Sequence, residues 1–227
     1  MALIGLSGKI KSGKNTVATL INELTMDIFE EKAFAKKLKE FVASITGCDV
    51  KNLEDQNFKL QQLPPEWQDE LQTRTFRWLL QVIGTDALRN NVHENIWVNA
   101  LFADYLPKYH GGIDPAVGST TPSDVQVFVG HPKWIITDMR FPNELDAIKK
   151  RGGITIRINR PKEKVDVGND TLNHVLNETK NFGIQEHPSE TALDNAEFDY
   201  VIENNSTIEE LKEKVKDILI KEKIILG

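Results

Sequence analysis

Cysteine is almost missing from this chain: Cys48 is the single one, so an internal disulfide and a thiolate zinc site are both excluded. The five histidines, at positions 93, 110, 131, 174 and 187, show no paired ligand spacing, which argues against a structural metal. Long hydrophobic runs are also lacking, so no stretch could span a bilayer, and no membrane partner is expected. The N-terminal apolar run is too short for a signal peptide and reads as a strand. Positive charge is in deficit, with 28 Lys and Arg against 34 Asp and Glu and a net charge of −6. General nucleic-acid binding is therefore a poor expectation, and any anion site must be a local basic cluster inside an acidic envelope. Together these absences point to a reducing, cytoplasmic setting.

What remains is the composition of a soluble globular protein, 40% hydrophobic and 27% charged over 227 residues, and one α/β domain with inserts fits that length. The most informative segment is Gly8-Lys9-Ile10-Lys11-Ser12-Gly13-Lys14-Asn15-Thr16. It follows the apolar run Ala2 to Leu6 and leads into Val17-Ala18-Thr19-Leu20-Ile21, the strand–loop–helix setting of a phosphate-binding P-loop. Backbone N–H groups curl inward around a phosphate, the helix contributes its positive end, and Lys14 adds a point charge. Asn15 stands where a magnesium-ligating Ser or Thr is usual. Thr16 lies one residue on, about 100° further round the helix, and cannot simply replace it.

Along the chain, Ile28 to Ala35 reads as a second strand and Lys36 to Ile45 as an amphipathic helix. Residues 49–73 are polar and glutamine-rich, an insert of short helices broken by Pro64-Pro65. Thr75 to Ile83 is helical, with Gly84 ending it as a C-cap, and Asn95 to Tyr105 is another helix. A long loop insert covers 110–132, with Val125 to Phe128 as a strand within it. Trp134 to Asp138 is a buried strand, Pro142 to Arg151 a helix, and Thr155 to Ile158 a strand. Residues 160–190 form a polar lid. Phe198 to Glu203 is the last strand, and Thr207 to Lys221 the last helix. Alternating strands and helices imply parallel βαβ units, whose ligands bind beyond the carboxyl ends of the strands. The P-loop, Asp138-Met139-Arg140 and Asn204-Asn205 all fall at such ends, which predicts one composite site.

Asp138 follows an apolar strand, where P-loop proteins place an acid that orients magnesium or its waters; a helix cap or a partner for Arg140 is the alternative. Arg140 can grip two phosphate oxygens at once, or pair with Glu144 one turn on. Arg157, Arg160, Lys162 and Lys164 concentrate charge at the mouth of the lid, either as a solvated run or as a clamp on transferred phosphate. Phosphoryl transfer needs alignment and charge neutralisation more than a base, and a well-placed arginine can supply roughly 10³–10⁵ in rate. Arg77, Gln81, Thr85 and Asp86 form the remaining polar cluster: ordinary helix surface with a capped turn, or an arginine for an acceptor phosphate beside an amide for a base edge.

These blocks resemble a family. Leu6 to Thr16 is similar to the P-loop of bacteriophage-type deoxynucleoside monophosphate kinases, which commonly carry Asp where Asn15 stands. The resemblance continues through Arg77 to Asp86, Trp97-Val98, Thr137 to Glu144, Ile156 to Pro161, His187 to Glu190 and Phe198 to Asn204. It implies a P-loop kinase fold like that of adenylate kinase: an α/β domain whose central parallel sheet of about five strands is flanked by helices, with a lid insert. It further implies transfer of the γ-phosphate of ATP, with Mg²⁺, to a deoxynucleoside 5′-monophosphate. The reaction would run in the cytoplasm, that of the host if the chain is phage-encoded. By position, Gly8, Lys9, Lys11, Ser12, Gly13, Lys14, Asn15 and Thr16 would hold ATP, with Arg157, Asn204 and Asn205 beside it. Lys39, Arg77, Gln81, Gly84, Thr85 and Asp86 would face the acceptor, while Lys14, Arg140 and Arg160 neutralise transfer charge. Asn15 and Asp138 would hold the metal, through bound water. A homodimer would suit the family and the aromatic helix around Trp97. Animal-type phosphomevalonate kinases share a similar P-loop and ending, here Ser189-Glu190, Leu193-Asp194-Asn195 and Phe198 to Asn204. Gln81 to Asp86 and Arg140 to Glu144 tip the balance toward nucleotides. A P-loop ATPase switch is a more distant alternative.

Overall fold

The computed structural model describes residues 3–69, 73–111, 126–161 and 191–226. Most of the expected loop insert and of the expected lid, with Lys162, Lys164 and His187 to Glu190, lies outside the described residues. In chain order the first elements are β1 (Leu3–Ser7), α1 (Lys14–Leu24), β2 (Glu30–Lys32), α2 (Phe34–Thr46), α3 (Gln56–Lys59), α4 (Phe76–Gln81) and α5 (Ile96–Phe102). There follow β3 (Lys108–Gly111), β4 (Gln126–Gly130), β5 (Trp134–Ile136), α6 (Pro142–Lys149), β6 (Ile154–Asn159), β7 (Tyr200–Glu203) and α7 (Ile208–Lys221). Five strands form the main sheet in the order β2-β5-β1-β6-β7, and β3 and β4 form a separate antiparallel pair. Parallel pairing with helical crossovers is the architecture the alternating pattern predicted. No helix among the described residues is long and apolar enough to cross a membrane.

The chain divides into two compact units, one made of Leu3–Ile28 with Met139–Gly227, the other of Phe29–Asp138. In the first, β1 is buried along its whole length, which is why it reads as a continuous apolar run and not as an alternating one. It pairs with β6 from Ile4–Ile154 to Ser7–Arg157, and β6 pairs with β7 from Ile156–Tyr200 to Asn159–Glu203. Asp199 ties the start of β7 to β6, accepting from the Thr155 N–H at 2.8 Å and its hydroxyl at 2.6 Å. On α7 the Thr207 side chain caps the first turn, accepting from the Glu210 N–H at 3.4 Å. Leu211, Val215, Ile218 and Leu219 are its buried stripe, matched by Val17, Ala18, Leu20 and Ile21 on α1. Each of the Val, Leu and Ile side chains contributes about 1.5–3 kcal/mol, so docking and not propensity holds these helices.

In the second unit, residues 49–67 carry two short 3₁₀ helices around α3, and they fold onto α2 and α4. Val42, Leu53, Leu63, Phe76 and Leu79 form the core there, with the Phe58 and Phe76 rings 4.7 Å apart. Two expectations are corrected. The second strand ends at Lys32, because Phe34 and Ala35 already open α2. The cause is Asp138, whose carboxylate oxygens accept the Phe34 and Ala35 N–H groups at 2.8 and 2.9 Å. Gly84 does not end its helix. A π-helix runs on from α4 over Val82–Ala87, and Gly84 is buried in it with a negative-side backbone and no cap role. The aromatic face of α5 turns inward as well. Trp97, Val98, Leu101 and Phe102 are buried, so they offer no ground for a subunit contact.

Candidate active site

In the first unit the P-loop leaves β1 at Ser7 and enters α1 at Lys14. Two residues take left-handed backbone, Lys11 at φ 63° and Gly13 at φ 101°. Glycine is required on both flanks. A Cβ on Gly8 would sit 2.5 Å from the Ile158 carbonyl oxygen, and one on Gly13 would sit 2.5 Å from Asn204 Nδ2. Asn204 also donates to the Ser12 carbonyl at 2.9 Å, so the end of β7 braces the loop from behind. The Lys14 ammonium is held by the carbonyl oxygens of Gly8 at 2.7 Å and Lys9 at 3.0 Å. Among the described residues Ser12 Oγ is buried without a hydrogen-bond partner, an orphaned donor within the loop. A glycine-flanked loop at a helix start, with a lysine and an unpaired hydroxyl, fits a phosphate chain. Asn15 and Thr16 are exposed in the first turn of α1, offering hard oxygen atoms of the kind magnesium accepts.

Around the cradle, Arg157 donates to Ser7 Oγ at 3.0 Å and to Asp194 Oδ1 at 2.9 Å, and stacks over Phe198 at 5.7 Å. Asp194 also meets the Lys9 ammonium at 3.3 Å. Two of the five guanidinium donors of Arg157 thus go to protein groups, and Asp194 supplies the counter-charge that links it to the P-loop. Asp194 carried no role in the sequence reading. The segment Leu193-Asp194-Asn195 stands out in the sequence, but its pairing with Arg157 and with Lys9 is set by the fold. Arg140 and Arg160 are both exposed just beyond β5 and β6. The Arg140 N–H donates to Glu144 Oε2 at 2.8 Å, and the Phe141 N–H to the same atom at 3.1 Å. Glu144 is 2% exposed, so this carboxylate fixes the backbone that carries Arg140. Asn205 is exposed after β7.

The second unit holds the residues expected to face an acceptor. Arg77, Gln81 and Asp86 are exposed and Thr85 half-buried along α4 and the π-helix. Lys39 pairs with Glu54 at 2.5 Å, and Arg77 donates to Gln56 Oε1 at 2.9 Å. Lys59 reaches the Glu54 carbonyl at 3.5 Å. Burial first of all, then the positive charges of Lys39 and Arg77, push the Lys59 ammonium below its ordinary value. Lys39, Lys59 and Arg77 are therefore one basic cluster, tempered by Glu54 and Asp55. The sequence does not single out Lys59, which sits inside a polar insert where a lysine carries no signal of its own. Asp138 lies in this unit as the cap of α2, the alternative weighed above. A carboxylate accepts about four hydrogen bonds, so capping alone does not exhaust it.

Comparison with known proteins bears on the residues of both units. The family model for deoxynucleotide monophosphate kinase matches residues 52–215. A protein of Acanthamoeba polyphaga mimivirus assigned as a deoxynucleotide monophosphate kinase is 33% identical over 217 residues, 95% of this chain and 94% of the relative. The deoxynucleotide monophosphate kinase of Enterobacteria phage T4 is 30% identical over 143 residues, 63% of this chain and 44% of the phage protein. Among solved structures, shikimate kinase from Acinetobacter baumannii in complex with shikimate matches with a TM-score of 0.45 and 15% identity, covering 99% of this chain and 96% of that one. Dephospho-CoA kinase from Campylobacter jejuni matches with a TM-score of 0.41 and 12% identity, covering 97% and 96%. These two distant likenesses add nothing to the fold described above. With a family model over well more than half its residues and a relative one-third identical along nearly its full length, the chain belongs to the deoxynucleotide monophosphate kinases.

Proposed function

We propose that this chain transfers the γ-phosphate of ATP to the 5′-phosphate of a deoxynucleoside monophosphate. The observation that carries the donor half is the P-loop, with Lys14 held against the Gly8 and Lys9 carbonyls beside the orphaned Ser12 hydroxyl. In the reaction an oxygen of the acceptor phosphate bonds to the γ-phosphorus as the bond from the β,γ-bridging oxygen breaks. ADP leaves, and a deoxynucleoside diphosphate is formed. The phosphate oxygen is already anionic, so no general base is required. Lys14 and the loop amides hold the donor, while Arg140 and Arg160 neutralise charge on the transferring group. Arg157, Asn204 and Asn205 border the donor. Asn15 and Asp138 are the residues that would hold the water of a magnesium ion, which when bound would offset phosphate charge. The acceptor's phosphate goes to the basic cluster of Lys39, Lys59 and Arg77, and its base to Gln81, Thr85 and Asp86.

A screen of ADP release with each deoxy- and ribonucleoside monophosphate, and with phosphomevalonate, tests this reading. ADP formation is expected only with a deoxynucleotide. Release without any acceptor, or with phosphomevalonate alone, would overturn it. The family membership itself weighs against the phosphomevalonate alternative.

Lys59→Gln is expected to raise the KM for the acceptor roughly tenfold with little change in that for ATP, as loss of one charge-assisted contact implies. Because the Lys59 pKa is lowered, wild-type acceptor binding should weaken with rising pH before an ordinary lysine would titrate. Lys39, Glu54, Asp55 and Arg77 surround the ammonium, and none of these is lost in Lys59→Arg, which keeps its charge at every working pH. An acceptor KM that climbs equally in Lys59→Arg and wild type would remove Lys59 from the acceptor site.

A further inference from the structure

The π-helix over Val82–Ala87 is the least ordinary stretch of backbone among the described residues of the second unit. Its i→i+5 repeat is visible in the bonds that follow, from Leu88 N–H to the Ile83 carbonyl at 3.2 Å and from Asn90 N–H to the Thr85 carbonyl at 2.9 Å. Two contacts fix its middle. The Trp97 indole N–H, buried on α5, donates to the Gly84 carbonyl at 2.8 Å. Leu38 on α2 lies so close that a Cβ on Gly84 would be 2.7 Å from its Cδ2. The indole thus gives a carbonyl in the middle of the wide turn a partner from another helix.

The wide turn has a geometric consequence. In a regular α-helix, residues five apart point about 140° away from each other. With an i→i+5 repeat, the fifth residue returns to nearly the same face. Gln81 and Asp86 are five apart across this turn, and Arg77 lies one α-turn before Gln81. All three are exposed. An α-helix through residues 82–87 would separate them; the π-helix aligns them.

We propose that Trp97 is a positioning residue for the acceptor: its indole N–H holds the Gly84 carbonyl and so sets the wide turn that brings Arg77, Gln81 and Asp86 to a common face. This rests on the reading of those three residues as acceptor contacts. The ring itself never touches the substrate. Its volume packs the core of the unit, and its N–H sets the register of the recognising side chains.

Trp97→Phe keeps most of the volume and removes the donor. The expected result is an acceptor KM raised about tenfold, the range for loss of one buried hydrogen bond, with the KM for ATP unchanged. Discrimination among deoxynucleoside monophosphates should narrow by a similar factor. A merely structural role would lower thermal stability and total active enzyme without moving that discrimination. Gly84→Ala, which drives a methyl into Leu38 while leaving the indole in place, is expected to give the same acceptor-specific defect. Leu38→Ala in the same chain should relieve it. Unaltered acceptor KM and discrimination in Trp97→Phe and Gly84→Ala would overturn the proposal. If Arg77→Ala and Gln81→Ala raised the acceptor KM in that case, the acceptor reading would stand and only the role of Trp97 would fall. Wild-type enzyme that phosphorylates no deoxynucleotide would sink the acceptor reading first.

Discussion

Lys14→Ala is expected to lose at least about 10²-fold in turnover, the scale set by removing one preorganised charge from a transferring group. The ammonium lies within 2.7 Å of the Gly8 carbonyl and 3.0 Å of that of Lys9, so the loop itself fixes where the charge sits. The substitution removes that charge without touching the glycines that shape the loop. Gly13 N-caps α1 through its backbone, and the Asn204 brace to Ser12 is unaffected. The fold should therefore survive, as thermal melting would verify. Steady-state kinetics with saturating ATP and acceptor is the measurement. Near-normal turnover would end the assignment of this loop to the donor phosphates.

Arg140→Ala should be nearly as damaging, with turnover down roughly 10²–10³-fold and the KM for ATP little changed. Transition-state charge concentrates on the transferring phosphoryl group, and a guanidinium there acts on kcat. One that merely gripped the bound nucleotide would act on KM. The Arg140 backbone is anchored by the buried Glu144 carboxylate at 2.8 Å, so its point of departure is rigid even though the side chain is exposed. A variant that weakened ATP binding alone would move Arg140 from the transfer step to the nucleotide clamp.

Both predictions rest on residues visible in the sequence, Lys14 because the groups that make a P-loop are contiguous and Arg140 because it follows an apolar strand. From Gly8 to Thr16, each residue's role follows from its neighbours, and the flanking apolar runs declare strand and helix. The same holds for α7, where the apolar spacing and the Thr207 cap lie within one window. Elsewhere the local signal was overruled. Phe34 and Ala35 look like strand, yet a carboxylate from position 138 satisfies their N–H groups and starts a helix. Gly84 looks like a helix stop, yet Trp97 and Leu38 press on it from two other helices, and the chain widens instead of ending. Lys59 carries no pattern, and the motif around Asp194 does not name its partners, since each matters through charges brought to it by folding.

By itself, then, the sequence determined the parallel α/β architecture, the glycine-flanked loop between β1 and α1 and the kinase family, because hydrophobic period and loop chemistry are properties of adjacent residues. The tertiary structure alone decided what surrounds the cradle and how the second unit is built. It chose Asp138 as the cap of α2, Asp194 as the counter-ion of Lys9 and Arg157, and a π-turn to align Arg77, Gln81 and Asp86. Each of these is a buried or charged group finding a partner far along the chain. The partner is set by three-dimensional packing and by the cost of leaving polar groups unpaired, which no local spacing encodes.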